Sequence, residues 1–173
     1  VATLQSDDFE LFGLPRQFAQ DRVAIDARWK DLQREAHPDK FAAQGPSAQR
    51  LAMQWSVRIN EAYQRLKDPL RRAAYLCELN GVAVKAEDNT AMPAEFLMQQ
   101  MAWREALDEA EDLDALDALS EEVGAARARV LSSFDWLLDE KGDHAGAVQQ
   151  VRSLMFIERF AQDVEARYES MES

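Results

Sequence analysis

A chain of 173 residues, 47% hydrophobic and 30% charged, is long enough for one or two small cores. Its formal net charge of −12 argues against nucleic acid and anionic membrane surfaces as partners, because phosphate binding needs clustered cations. Only six Gly and five Pro, set among abundant Ala, Leu, Glu, Gln and Arg, favour helices over strands and predict an all-α fold.

In chain order, the first predicted element is a short helix from Asp7 to Leu11, anchored by Phe9 and Phe12 and stopped by Gly13-Leu14-Pro15. Asp21 is the expected N-cap of a helix reaching Ala36. On it Ile25, Trp29, Leu32 and Ala36 recur at steps of four, three and four, which places them on one face. Pro38 disfavours helical backbone at His37, so the helix should stop there. Ser47 is the expected cap of the next helix, which runs to about Lys67 with Ala48, Leu51, Trp55, Ile59, Ala62 and Leu66 as its stripe. These two helices should pack antiparallel, with His37-Pro38-Asp39-Lys40 at their shared tip. By itself the tetrapeptide reads as an ordinary turn, since Pro and Asp are common turn formers. Lys30 and Arg34 lie four apart, opposite the Ile25/Leu32 face. They form either a solvated polar face or a cationic strip for an acidic partner, a strip that Asp26 and Asp31 weaken. Asp68 and Pro69 suit the cap and first position of a fourth helix, and Asn80-Gly81 suits its end.

Charge divides the chain. Residues 1–80 hold 12 Lys/Arg against 11 Asp/Glu, whereas 81–173 hold 8 against 21, which suggests two modules with different partners. Val82 to Met92 lacks a clear period and reads as a linker, partly packed through Val82 and Val84. Three helical segments come next, at about 93–111, 114–140 and 143–169, with Asp143 as a cap. The middle one is striped by Leu113, Leu116, Leu119, Val123, Val130, Phe134 and Leu137-Leu138. The last is striped by Val148, Val151, Leu154, Ile157, Ala161, Val164 and Tyr168. Short connections make a three-helix bundle.

The first of these three helices carries too much apolar surface. Phe96, Trp103, Leu107 and Ala110 form a normal core face, while Leu97, Met98 and Met101 fall on the other side, continued by Glu105 and Glu109. Leu97 and Met98 either pack on the other module or the linker, or belong to a partner site of exposed Leu and Met flanked by carboxylates. Phe156 lies off the Val151/Leu154/Ala161 face and fits the same patch.

Cys77 is the single cysteine, so no internal disulfide forms, and its apolar neighbours predict a buried structural thiol. His37 and His144 are the only histidines and neither has metal-ligand spacing, so no metal site or cofactor is expected. The chain has no apolar run of membrane-span length and no visible secretory signal, and a cytoplasmic protein is expected.

Residues downstream of the loop change its meaning. His37-Pro38-Asp39, then Ile59-Asn60-Glu61-Ala62-Tyr63, Leu66, Asp68-Pro69, Arg72 and Tyr75, resemble the J-domain of DnaJ-type co-chaperones. With the acidic bundle and its Phe96-Leu97-Met98 run, and Arg104-Glu105 beyond it, nearly the whole chain resembles the HscB family, the J-domain co-chaperones of iron–sulfur cluster biogenesis. The resemblance implies an L-shaped molecule with a J-domain at 1–77, a linker at 78–92 and a bundle at 93–170. It implies no enzymatic activity but stimulation of the ATPase of HscA or another DnaK-type chaperone. His37, Pro38, Asp39 and Lys40, with Lys30 and Arg34, would engage the chaperone. Leu97, Met98, Met101, Glu105, Glu109 and Phe156 match positions that bind the scaffold protein IscU. Ala102 stands where the family has an acidic residue, which removes one polar contact. No paired CxxC motifs are present, as in the bacterial type.

Two other readings compete. A general J-protein would deliver unfolded clients through Met98 and Met101. A hydrolase using His37 and Asp39 fails on content, because no nucleophile is placed beside His37 and no Gly-rich phosphate loop appears.

Overall fold

The computed structural model describes residues 2–84 and 92–173; most of the linker expected at 82–92 therefore lies outside the described residues. Among them the regular structure is entirely helical, in two compact units, Val1–Leu76 and Cys77–Ser173.

The first unit holds α1 (Asp8–Phe12), α2 (Arg22–Ala36), a 3-10 segment (Pro38–Gln44), α3 (Pro46–Lys67) and most of α4 (Pro69–Leu79). Local chemistry sets the starts. Asp7 accepts from the Glu10 N–H to begin α1, Asp21 accepts from the Val23 N–H to begin α2, and Asp68 accepts from the Leu70 N–H before Pro69. Ser47 is not the cap of α3. Gly45, at φ 100°, precedes Pro46 in the first helical turn, and the fixed φ of Pro46 starts the helix two residues earlier than a cap at Ser47 would, leaving Ser47 inside it.

Helices α2 and α3 run antiparallel, as three cross-links of descending register show. Tyr63 Oη donates to Asp26 at 2.8 Å, Trp29 Nε1 donates to Asn60 at 3.0 Å, and Ser56 Oγ donates to Gln33 at 2.8 Å. The Trp29 and Tyr63 rings stack at 4.7 Å. Beneath them Ile25, Leu32, Ala52, Ile59, Ala62 and Leu66 are buried with Phe9 and Phe12 of α1. Leu51, expected in this stripe, is 50% exposed. Because α2 stops at Ala36, the first turns of α3 face the 3-10 segment instead of a second helix, and Leu51 is left at the rim of an apolar groove with Phe41 and Trp55.

One buried charge ties the unit together. The Asp8 carboxylate is fully buried, 2.6 Å from Arg65 Nε and 2.8 Å from Arg58 Nη1, and the Asp8 N–H donates to Tyr75 Oη at 3.0 Å. Removing one member of such a pair strands the other, which is why the contact holds α1 and α4 in one geometry against α3.

The second unit contains α5 (Ala94–Glu109), α6 (Leu113–Phe134) and α7 (His144–Glu172). The α5–α6 connection, residues 110–112, is one residue longer than the gap the sequence leaves between 111 and 114. Extended backbone at Ala110 ends α5, and Asp112 accepts from the Ala115 N–H at 2.8 Å to start α6. Leu113, expected in the α6 stripe, is half exposed, since the first residue of the helix projects beyond the core. At the other end, Asp135–Glu140 winds into a wider π turn closed by Lys141 N–H on the Trp136 carbonyl at 2.8 Å, and Gly142 takes the left-handed conformation, φ 67°, that turns the chain into α7. Asp143 caps α7 through the Gly146 N–H at 2.9 Å, as expected.

Trp103, Ala110, Leu116, Leu119, Val123, Ala126, Ile157, Phe160 and Val164 form the bundle core. The buried face of α7 shifts along its length, from Ala147, Val148 and Val151 to Phe160 and Val164. Met92, assigned to the linker from sequence, is buried. Cys77 is also buried, with its thiol 3.8 Å from the His144 carbonyl oxygen.

Candidate functional site

Two exposed features stand out, one in each unit. In the first, α2 stops because His37 adopts ψ 129° ahead of Pro38. The loop then folds on itself. Lys40 N–H donates to the His37 carbonyl at 3.0 Å, and Asp39 N–H donates to His37 Nδ1 at 3.2 Å. The same Nδ1 lies 3.7 Å from the Asp39 carboxylate. The Asp39 side chain is 91% exposed. An outward, exposed carboxylate is a ready acceptor for a partner's arginine.

Lys30, Arg34 and Lys40 are exposed, and Pro38 is half-buried. The two acids expected to dilute the basic strip behave differently. Asp26 accepts from Arg22 at 2.9 Å and from Tyr63, hydrogen bonds that hold its carboxyl below the usual range. Its charge is committed on the side of α2 that faces α3. Asp31 lies 3.4 Å from Arg34 in an exposed pair of little energetic weight.

In the second unit an open cleft of about 1180 Å³ runs between α5 and α7. Met101, Glu105, Glu109 and Phe156, singled out from sequence, all line it. Met98 and Met101 are 68% and 72% exposed, Ala102 is exposed, and Leu97 is half-buried four residues before Met101. Leu97 and Met98 sit on the outer side of α5 and do not line the cleft.

Phe156 is less exposed than the methionines. It is half-buried and belongs to an aromatic stack, with its ring 5.7 Å from Phe96, 6.1 Å from Trp103 and 5.8 Å from Phe160. The shifting buried face of α7 brings it against the core, so it is at once a core residue and part of the cleft floor. Arg104 closes one side. Its Nη1 donates to Asp163 at 2.6 Å, and its guanidinium lies over the rings of Phe160 and Phe156.

The α7 wall of the cleft is not anticipated from sequence. Arg152, Met155 and Arg159 line the cleft beside Phe156, at steps of three and four. That spacing is visible in the chain, but the α7 core stripe dominates the pattern, and without the opposing helix the outer face has nothing to define it.

An antiparallel helical hairpin with an exposed His-Pro-Asp tip, in a chain that also carries a three-helix bundle, is the arrangement of a J-domain co-chaperone. The chain belongs to the HscB co-chaperone family: residues 92–165 match the HSCB C-terminal oligomerisation domain, and a co-chaperone protein HscB homolog of Burkholderia multivorans is 48% identical over the full length of both chains. A homolog in Bordetella petrii is 50% identical over 92% of this chain and 95% of its own. Among solved structures, the chaperone HscB from Vibrio cholerae superposes with a TM-score of 0.85 at 35% identity, covering 96% of this chain and 99% of that one. The human co-chaperone protein HscB shares the fold, with a TM-score of 0.89 at 24% identity over 97% of this chain and 85% of that one. No helix among the described residues is long and apolar enough to cross a membrane, and no group of three or more His, Cys, Asp or Glu among them is arranged to hold a metal ion.

Proposed function

We propose that this co-chaperone binds an IscU-type scaffold protein, presents it to HscA or another DnaK-type chaperone in the cytoplasm, and stimulates the chaperone's ATPase during iron–sulfur cluster assembly and transfer. The working division is a J-domain at 1–77, a linker at 78–92 and a scaffold-binding bundle at 93–170. Asp39 accepts from the chaperone, Pro38 and His37 hold the loop's shape, and Lys30, Arg34 and Lys40 steer docking. Leu97, Met98, Met101, Glu105, Glu109 and Phe156 take the scaffold. The hydrolytic chemistry is the chaperone's; this chain shifts the chaperone toward its client-gripping state by binding that state better.

The observation that carries the reading is the pair of methionines, 68% and 72% exposed, standing beside carboxylates on a helix whose opposite face is already filled by Trp103. A small bundle gains nothing from such side chains in water, whereas a partner gains adaptable apolar contact. The test is a binding titration of this chain against an IscU-type scaffold, with an unfolded polypeptide as competitor. Saturable scaffold binding that the competitor does not displace supports the reading. Displacement by the unfolded chain would replace it with that of a general J-protein.

A further inference from the structure

Resting on the scaffold reading above, we infer that Arg152 and Arg159 of α7 form a carboxylate-binding subsite that orients the scaffold in the α5–α7 cleft. The two walls of the cleft carry opposite charge. Glu105, Asp108 and Glu109 line the α5 side, and Arg152 and Arg159 line the α7 side, with Phe156 and Met155 between. These charges do not neutralise each other, for no ion pair bridges them among the described residues. The third arginine of the cleft, Arg104, is already taken by Asp163 at 2.6 Å.

Arg152 is the telling group. Its Nε is shielded from water, yet donates to no acceptor among the described residues. Arg152 as a whole is only half-buried and lines the cleft, so a carboxylate entering it pairs with the guanidinium by a charge-assisted bond. Arg159 lies seven residues on, two turns along the same face, and is exposed to meet the incoming group. The occupant that fits is a protein segment with an apolar side chain for Phe156 and Met155, a carboxylate toward α7 and a cation toward Glu105 and Glu109. Such a bipolar cleft admits the segment in one direction only, since reversal sets like charges together.

The experiment titrates the full chain with an IscU-type scaffold at low and physiological salt. It compares the parent with Arg152→Gln, Arg159→Gln, Arg159→Glu and Met98→Ala/Met101→Ala, with thermal melting on every sample. The inference expects Arg159→Gln to weaken binding about tenfold, Arg159→Glu to weaken it further, and both to flatten the salt dependence. Arg159 is exposed, so its variants keep the parent's melting temperature and decide the matter even if Arg152→Gln proves less stable. Parent-like affinity in both Arg159 variants, with the methionine variant weakened, would overturn the subsite and leave the docking face standing. Parent-like affinity in every variant would overturn the scaffold-docking reading, and the subsite with it.

Discussion

His37 Nδ1 accepts the backbone N–H of Asp39 at 3.2 Å, while the carboxylate of Asp39 stands 91% exposed. The loop is thus ordered by its own backbone and side chain without using the Asp39 charge. Replacing Asp39 by Asn keeps the local bond and removes only the charge. Stimulation of the partner chaperone's ATPase should be lost, while the melting temperature and scaffold binding stay at parental values. Steady-state turnover of the chaperone measures this directly, and full stimulation by the variant would remove the loop from the mechanism.

Reversing Lys30 and Arg34 together should raise the concentration of co-chaperone needed for half-maximal stimulation. The parent's stimulation at subsaturating levels should also weaken with added salt, because exposed charges are screened over about 8 Å at physiological ionic strength. Helix α2 should persist, since neither residue takes part in its packing on α3. A double variant with the parent's concentration and salt dependence would mark the strip as solvated surface.

Truncation separates core from docking face. Trp103→Ala should cost about 3–5 kcal/mol of stability, for Trp103 is 2% exposed in the centre of the bundle. Met98→Ala and Met101→Ala should each change stability by no more than about 0.5 kcal/mol and weaken scaffold binding by about 1–2 kcal/mol. Phe156→Ala should lose both stability and binding, because its ring stacks on Phe160 and Trp103 and also floors the cleft. Denaturant unfolding and calorimetry on the same samples check all four.

Burial pushes the Cys77 thiol up to about 11. The thiol should therefore resist alkylation at pH 8 in the native protein and react once the chain is unfolded. The sign of the linkage is set by the folded state, which holds the thiol proton more tightly than the unfolded one. The stabilisation is complete below the ordinary thiol range and disappears as pH rises through about 11. Unfolding free energies of the parent and Cys77→Ser should accordingly converge with rising pH across that window.

Periodicity and local capping chemistry were enough to identify the α2 and α3 stripes, the stop at His37, the caps at Asp21, Asp68 and Asp143, and the surplus apolar side of α5. Each depends on residues a few positions apart, where phase and a single side-chain oxygen decide the outcome. Pro46 displaced the expected cap at Ser47, and Asp112 supplied one that had not been assigned, because neighbouring candidates compete by margins that propensity does not resolve. What lies opposite a helix is a different matter. Leu51 has the phase of a core residue and is half exposed, because no second helix covers the start of α3. Phe156 is off the stripe and half-buried, because the buried face of α7 shifts along the helix and brings the ring onto Trp103. The cationic wall of Arg152 and Arg159 becomes a wall only when α5 sets its carboxylates across the cleft. Helical phase is a property of one segment and can be read along the chain. A cleft is a property of two segments, and only their packing creates it.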